Sequence, residues 1–226
     1  MNIQTYIKSF ALGSVLLFSV SSNATIIAST DFDDKIASVA TASNLNWITN
    51  GISDPLSLTA TEILNLNPAA GDMFAVDHNL ISEGSWSVDI ALNVSNINNI
   101  ALSTVTLNAF IFNNNDVLQT VSRDVDFNLA LYSGATSLDN IDVLNVYANS
   151  GSVVQGKEVS FDLTGNTLFA GNDYFLRLTA SGNGYGNNAG FDNLVINGDI
   201  QAVSEPSLLG ILGLGLMLVG ARRFKS

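Results

Sequence analysis

The chain has 226 residues, 47% of them hydrophobic and only 12% charged, with a formal net charge of −12 and no cysteine. The acidic balance disfavours nucleic acid and anionic lipid as partners, and the missing thiols exclude disulfides, thiol catalysis and zinc–thiolate sites. Such a length accommodates one domain of ordinary size with peripheral segments, and a core large enough to stabilise it.

The first segment, MNIQTYIKSFALGSVLLFSVSSNA, opens with a positive charge at Lys8 and continues as an apolar run from Phe10 to Val20. Ser22 and Ala24 then place small residues at the two positions that signal peptidase reads. Residues 1–24 therefore read as a secretory signal peptide cleaved after Ala24, too short in its apolar part for a spanning helix.

From Thr25 to Val203 the pattern is that of strands. Trp86, Val88, Ile90, Leu92 and Val94 alternate with polar or small residues. The same alternation runs through Val105, Leu107, Ala109 and Ile111, then Val125, Phe127, Leu129 and Leu131. It returns at Val159, Phe161 and Leu163, and at Tyr174, Leu176 and Leu178. Period-two alternation marks strands with one buried face and one wet face. Turn formers separate them: Asn113 to Asp116, Ser133-Gly134, Asn149 to Gly151, Thr164 to Asn166, and Gly171 to Asp173. Ser181 to Gly190, SGNGYGNNAG, reads as a glycine–asparagine loop with Tyr185 at its tip. With no helical period between residues 25 and 200, the expected fold is an all-β antiparallel sandwich, jelly-roll-like in its many short strands.

The last segment, residues 204–226, begins Ser204-Glu205-Pro206, continues without charge from Ser207 to Ala221, and closes on Arg222, Arg223 and Lys225. The basic end is expected to stay cytoplasmic and the middle to be exported. A short glycine-rich apolar run with a basic stop behaves as a sorting signal or short hydrophobic helix.

That order of Glu-Pro, Gly/Leu-rich run and Arg-Arg resembles the PEP-CTERM sorting domain, with Ser204 standing where the family has its first proline. The resemblance implies recognition of the tail by exosortase in the inner membrane of a Gram-negative bacterium. Signal peptidase during export and exopolysaccharide outside the cell are the further expected partners. Trp47 to Pro55 and Glu83 to Val88 are similar to segments that recur in such ectodomains.

A second resemblance joins the two ends of the domain. Ser29-Thr30-Asp31-Phe32-Asp33-Asp34 and Gly190-Phe191-Asp192-Asn193-Leu194-Val195-Ile196 are similar to the first and last strands of jelly-roll carbohydrate-binding domains. The resemblance implies a structural calcium ion with Asp31, Asp33, Asp192 and Asn193 as candidate ligands; calcium favours such oxygen donors. Trp47, Trp86 and Tyr185 are the candidate ligand-contacting aromatics, although a lone Trp in a strand is more often core.

No catalytic residue is assigned. The one histidine, His78, stands beside Asp77 with no nucleophile motif. The carboxylates are numerous, but none forms a marked pair. The reading is a non-catalytic, exopolysaccharide-associated surface or matrix protein. A calcium-dependent carbohydrate-binding module comes second and a secreted hydrolase third.

Overall fold

The computed structural model describes residues 24–31, 41–42, 47–52, 58–60, 74–75, 84–112, 124–146, 156–183 and 188–202. The strands in chain order are β1 (Thr25–Thr30), β2 (Thr41–Ala42), β3 (Ile48–Thr49), β4 (Leu58–Ala60), β5 (Phe74–Ala75), β6 (Ser85–Asn93) and β7 (Asn98–Phe112). They continue with β8 (Asp124–Ser133), β9 (Thr136–Val143), β10 (Lys157–Asp162), β11 (Thr167–Leu168), β12 (Asp173–Asn183) and β13 (Asn188–Ala202). A seven-stranded sheet has the order β10-β7-β13-β1-β3, with β11 also on β7 and β5 also on β13. A six-stranded sheet has the order β2-β4-β6-β12-β8-β9. Every strand pairing among the described residues is antiparallel. The expected all-β sandwich is therefore the fold.

The alternation sets the core. Trp86, Val88, Ile90 and Leu92 of β6, Val125, Phe127, Leu129 and Leu131 of β8, and Tyr174, Leu176 and Leu178 of β12 are all buried. They face Val105, Leu107 and Ala109 of β7, Val159 and Phe161 of β10, and Phe191, Leu194 and Ile196 of β13 from the other sheet. Trp86 stacks on Phe191 across the sandwich, ring centroids 6.2 Å apart and planes 20° apart.

Two bulges reset the phase in the long strands. In β7 the buried positions are Ile100 and Leu102, then Val105 and Leu107, because Ser103 is an extra residue against β13 between the Leu102–Gly198 and Thr104–Asn197 pairs. In β13 the buried set passes from Phe191 to Leu194, where the register jumps between Asp192 and Val195. An extra residue in one strand turns its following side chains to the other face and so preserves an inward apolar row only if the pattern shifts with it.

The turns at Gly134 (φ 56°), Gly165 (φ 98°) and Gly171 (φ 72°) fall in expected turn segments and use the left-handed region that glycine enters freely. One loop expectation needs correction. β12 continues through Asn183 and β13 begins at Asn188, so strand pairing takes up both flanks of the 181–190 segment. Its glycines do not prevent this, because Ser181 and Gly182 pair with Asp126 and Val125 of β8, and Gly190 pairs with Phe110 of β7.

The domain's two ends leave together. Thr25 pairs with Gly198, and its hydroxyl donates to the Gly198 carbonyl at 3.1 Å. β13 runs on to Ala202, opposite Asn98. Among the described residues no helix is long and apolar enough to cross a membrane. The segments read as signal peptide and sorting tail lie outside the described residues, apart from Ala24, which is exposed.

Candidate functional site

Among the described residues, the outer face of the six-stranded sheet carries an extended polar and aromatic arrangement. The inward residues of β6, β8 and β12 leave the opposite parity outside. Antiparallel register then lines these outer side chains up in rows across the strands, about 6.8 Å apart along them. One row is Ala91, Phe175 and Tyr132. The next is Asp89, Arg177, Ala130 and Asn140. A third is Ser87, Thr179, Asn128 and Asp142.

Tyr132 and Phe175 are both half-buried and stack face to face, centroids 4.7 Å apart and planes within 6°. The Arg177 guanidinium carbon lies 5.6 Å from the Tyr132 ring centre and 5.5 Å from that of Phe175. Its Nε donates to Asp89 Oδ1 and one terminal nitrogen donates to Oδ2, each at 2.7 Å. This two-point contact fixes the guanidinium plane beside the aromatic pair. Hydrogen bonding to Asp89 holds the Arg177 pKa above its usual value, against a smaller opposing effect of burial. Arg177 thus stays charged at every ordinary pH. In the third row the Asn128 amide donates to Asn140 Oδ1 at 2.9 Å and to Asp142 Oδ1 at 2.7 Å.

The arrangement offers two half-buried rings as an apolar surface, next to amide and carboxylate oxygens that accept hydrogen bonds from hydroxyls. That combination suits a ligand with both apolar C–H faces and many hydroxyls. Tyr132, Phe175, Arg177 and Asp89 were not among the sequence candidates. The signal for them is parity: each sits out of phase with the buried residues of its own strand.

The sequence candidates fall elsewhere. Trp86 is only 1% exposed and packed on Phe191, so it presents no ring face to a ligand and belongs to the core. Trp47 is half-buried and packs against that core. Tyr185 lies outside the described residues, as do Asp33, His78, Ser204, Glu205, Pro206, Arg222 and Arg223.

For the calcium candidates, the register places Asp31 one residue beyond the Thr30–Leu194 pair, beside the Asp192–Asn193 bulge of β13. Asn193 has φ 50°, a left-handed conformation that Asn tolerates better than most residues. The Asp192 carboxylate accepts from the Asn193 backbone N–H at 2.6 Å and from its side-chain amide at 2.9 Å. The Asp-Asn step thus has a backbone reason of its own. Among the described residues, no group of three or more His, Cys, Asp or Glu side chains gathers as a metal site.

No family model matches the chain, and no curated protein matches it. Similar solved structures include the carbohydrate-binding module TmCBM61 in complex with β-1,4-galactotriose (13% identity, TM-score 0.36, covering 65% of this chain and 90% of that one). A Stig cyclase from Fischerella sp. TAU matches at 13% identity and TM-score 0.33, over 83% of this chain and 93% of that one. The K3 adhesin domain of Lys-gingipain from Porphyromonas gingivalis matches at 14% identity and TM-score 0.31, over 77% and 99%. Similarity at this level transfers no ligand and no activity.

Proposed function

We propose that this chain is a non-catalytic exported protein of the Gram-negative cell surface or extracellular matrix, sorted by an exosortase and associated with exopolysaccharide through the outer face of its six-stranded sheet. The observation that carries the binding reading is the Tyr132–Phe175 stack with Arg177 fixed beside it by Asp89. A cross-strand aromatic pair also stabilises a sheet, by about 0.5–1.5 kcal/mol, so the test must separate binding from folding. Native gels cast with the host's exopolysaccharide should retard the protein. Tyr132→Ala and Phe175→Ala should each abolish most of that retardation while unfolding stays cooperative and loses stability by about that pair energy. Undiminished retardation in both variants would remove this face as the binding surface.

The sorting half of the reading is supported by the terminal sequence patterns and by Thr25 and Ala202 leaving the sandwich at one end, as suits two membrane-directed segments. Mass spectrometry of the protein from its native host is expected to find Thr25 as first residue and the tail cut near Pro206. Recovery of residues 25–226 intact would sink exosortase processing and leave a plain anchor.

Calcium belongs to the same proposal as a structural ion near Asp31, Asp33, Asp192 and Asn193. An ion bound only by the folded state raises stability by mass action. Chelator should then lower the melting temperature, calcium should restore it, and Asp192→Ala should lose the response. Superimposable melting curves with and without chelator would dispose of the site.

A further inference from the structure

We infer that the outer face of the six-stranded sheet selects a neutral, hydroxyl-rich polysaccharide and rejects polyanionic ones. The inference rests on the glycan-binding reading above and adds the chemical class of the polymer.

Recognition of uronates, sulfates or phosphates requires a cation with charge and donors to spare. Among the described residues of this face the cation is Arg177, and its charge is matched by Asp89 through two hydrogen bonds of 2.7 Å. The flanking row adds no positive charge. It places the Asp142 carboxylate one strand from Asn128, which in turn reaches Asn140. A polyanion laid across the rings would meet a neutralised guanidinium one row along and a carboxylate two rows along. The chain as a whole, at −12, repels it further. A neutral polymer meets no such penalty. Its C–H faces can lie against Tyr132 and Phe175, and its hydroxyls can donate to the oxygens of Asn140 and Asp142.

The experiment is affinity electrophoresis of the purified full chain. The gels contain β-galactan, β-glucan or mannan as neutral probes, and alginate or polygalacturonate as acidic ones, all with EDTA so that calcium cannot bridge carboxylates, and run at a temperature at which the melting curve shows the EDTA-treated protein folded. At least one neutral polymer is expected to retard the protein, with apparent affinity about tenfold or more above that for either acidic polymer. Asp89→Asn keeps the shape but frees the Arg177 charge, and should raise retardation by the acidic polymers. Tighter retention on an acidic polymer than on any neutral one would overturn the inference and leave the glycan-binding reading standing. So would an Asp89→Asn variant, shown to be folded by its melting curve, with unchanged preference. Retention on none of the polymers would overturn the inference and the binding reading together.

Discussion

Replacing Trp86 with alanine is expected to cost about 3–5 kcal/mol of stability, the range for emptying an aromatic site in a packed core. Trp86 is among the largest fully buried side chains and bridges the two sheets by stacking on Phe191. Val88, next along the same face, and Ala180, opposite on β12, are pinned by the β6–β12 pairing, so they cannot collapse into the space. Trp86→Phe should cost at least about 2 kcal/mol less than the alanine variant, because a ring still meets Phe191. It also removes an indole N–H that is buried without a hydrogen-bond partner among the described residues; such a group carries a penalty of about 1–3 kcal/mol. Urea denaturation followed by the remaining Trp47 fluorescence gives both values, provided the slope with denaturant is unchanged. An alanine variant within about 1 kcal/mol of the parent would mean that Trp86 does not hold the sheets together.

The core of β6, β8 and β12 is legible in the sequence because those strands alternate along their buried length, with the small Ala130 buried out of phase. The long strands β7 and β13 are less so. Ser103 and the Asp192–Asn193 step each insert a residue, and a fixed period carried past a bulge assigns the wrong face. The same bulge shows why the Asp-Asn step drew attention as a metal motif. An acid and an Asn in sequence satisfy a left-handed turn of the backbone just as well as they satisfy a cation.

The candidate site was half legible. Parity alone puts Tyr132, Phe175 and Arg177 on the wet side of their strands. It does not say that β8 and β12 are neighbours, nor that their register sets Phe175 opposite Tyr132. Asp89 and Arg177 are 88 residues apart, and only the β6–β12 pairing makes them partners. Tryptophan is the better stacking surface by type, which favoured Trp47 and Trp86 in the sequence. Burial reverses that ranking for Trp86: a ring with no exposed face stabilises the sandwich and can do nothing for a ligand.

Gly198→Ala is expected to destabilise the fold by about 1–3 kcal/mol through overpacking, and clearly more than Gly156→Ala. Both glycines face an obstacle, but of different kinds. A Cβ at Gly198 would lie 2.6 Å from the Ala101 carbonyl oxygen, 3.3 Å from its carbon and 3.3 Å from Ile27 Cγ1. Gly198 sits in the middle of three strands, paired with Thr25 on one side and Leu102 on the other, next to the Ser103 bulge. The obstructing oxygen belongs to the backbone of a paired strand, so relief requires β7 and β13 to move apart where their hydrogen bonds hold them. A Cβ at Gly156 would lie 2.5 Å from Phe110 Cζ and 2.9 Å from both Cε atoms. That obstacle is the far end of a half-buried ring, which can turn outward about its side-chain torsions without disturbing a strand. Alanine also narrows the unfolded ensemble by about 0.4–1 kcal/mol at either position, which offsets much of the smaller cost at Gly156 and little of the larger one at Gly198. Denaturation midpoints of the two variants measured side by side decide the matter. Equal losses, or a larger loss at Gly156, would show that the close approach of β13 to β7 at this bulge yields as easily as a side chain does.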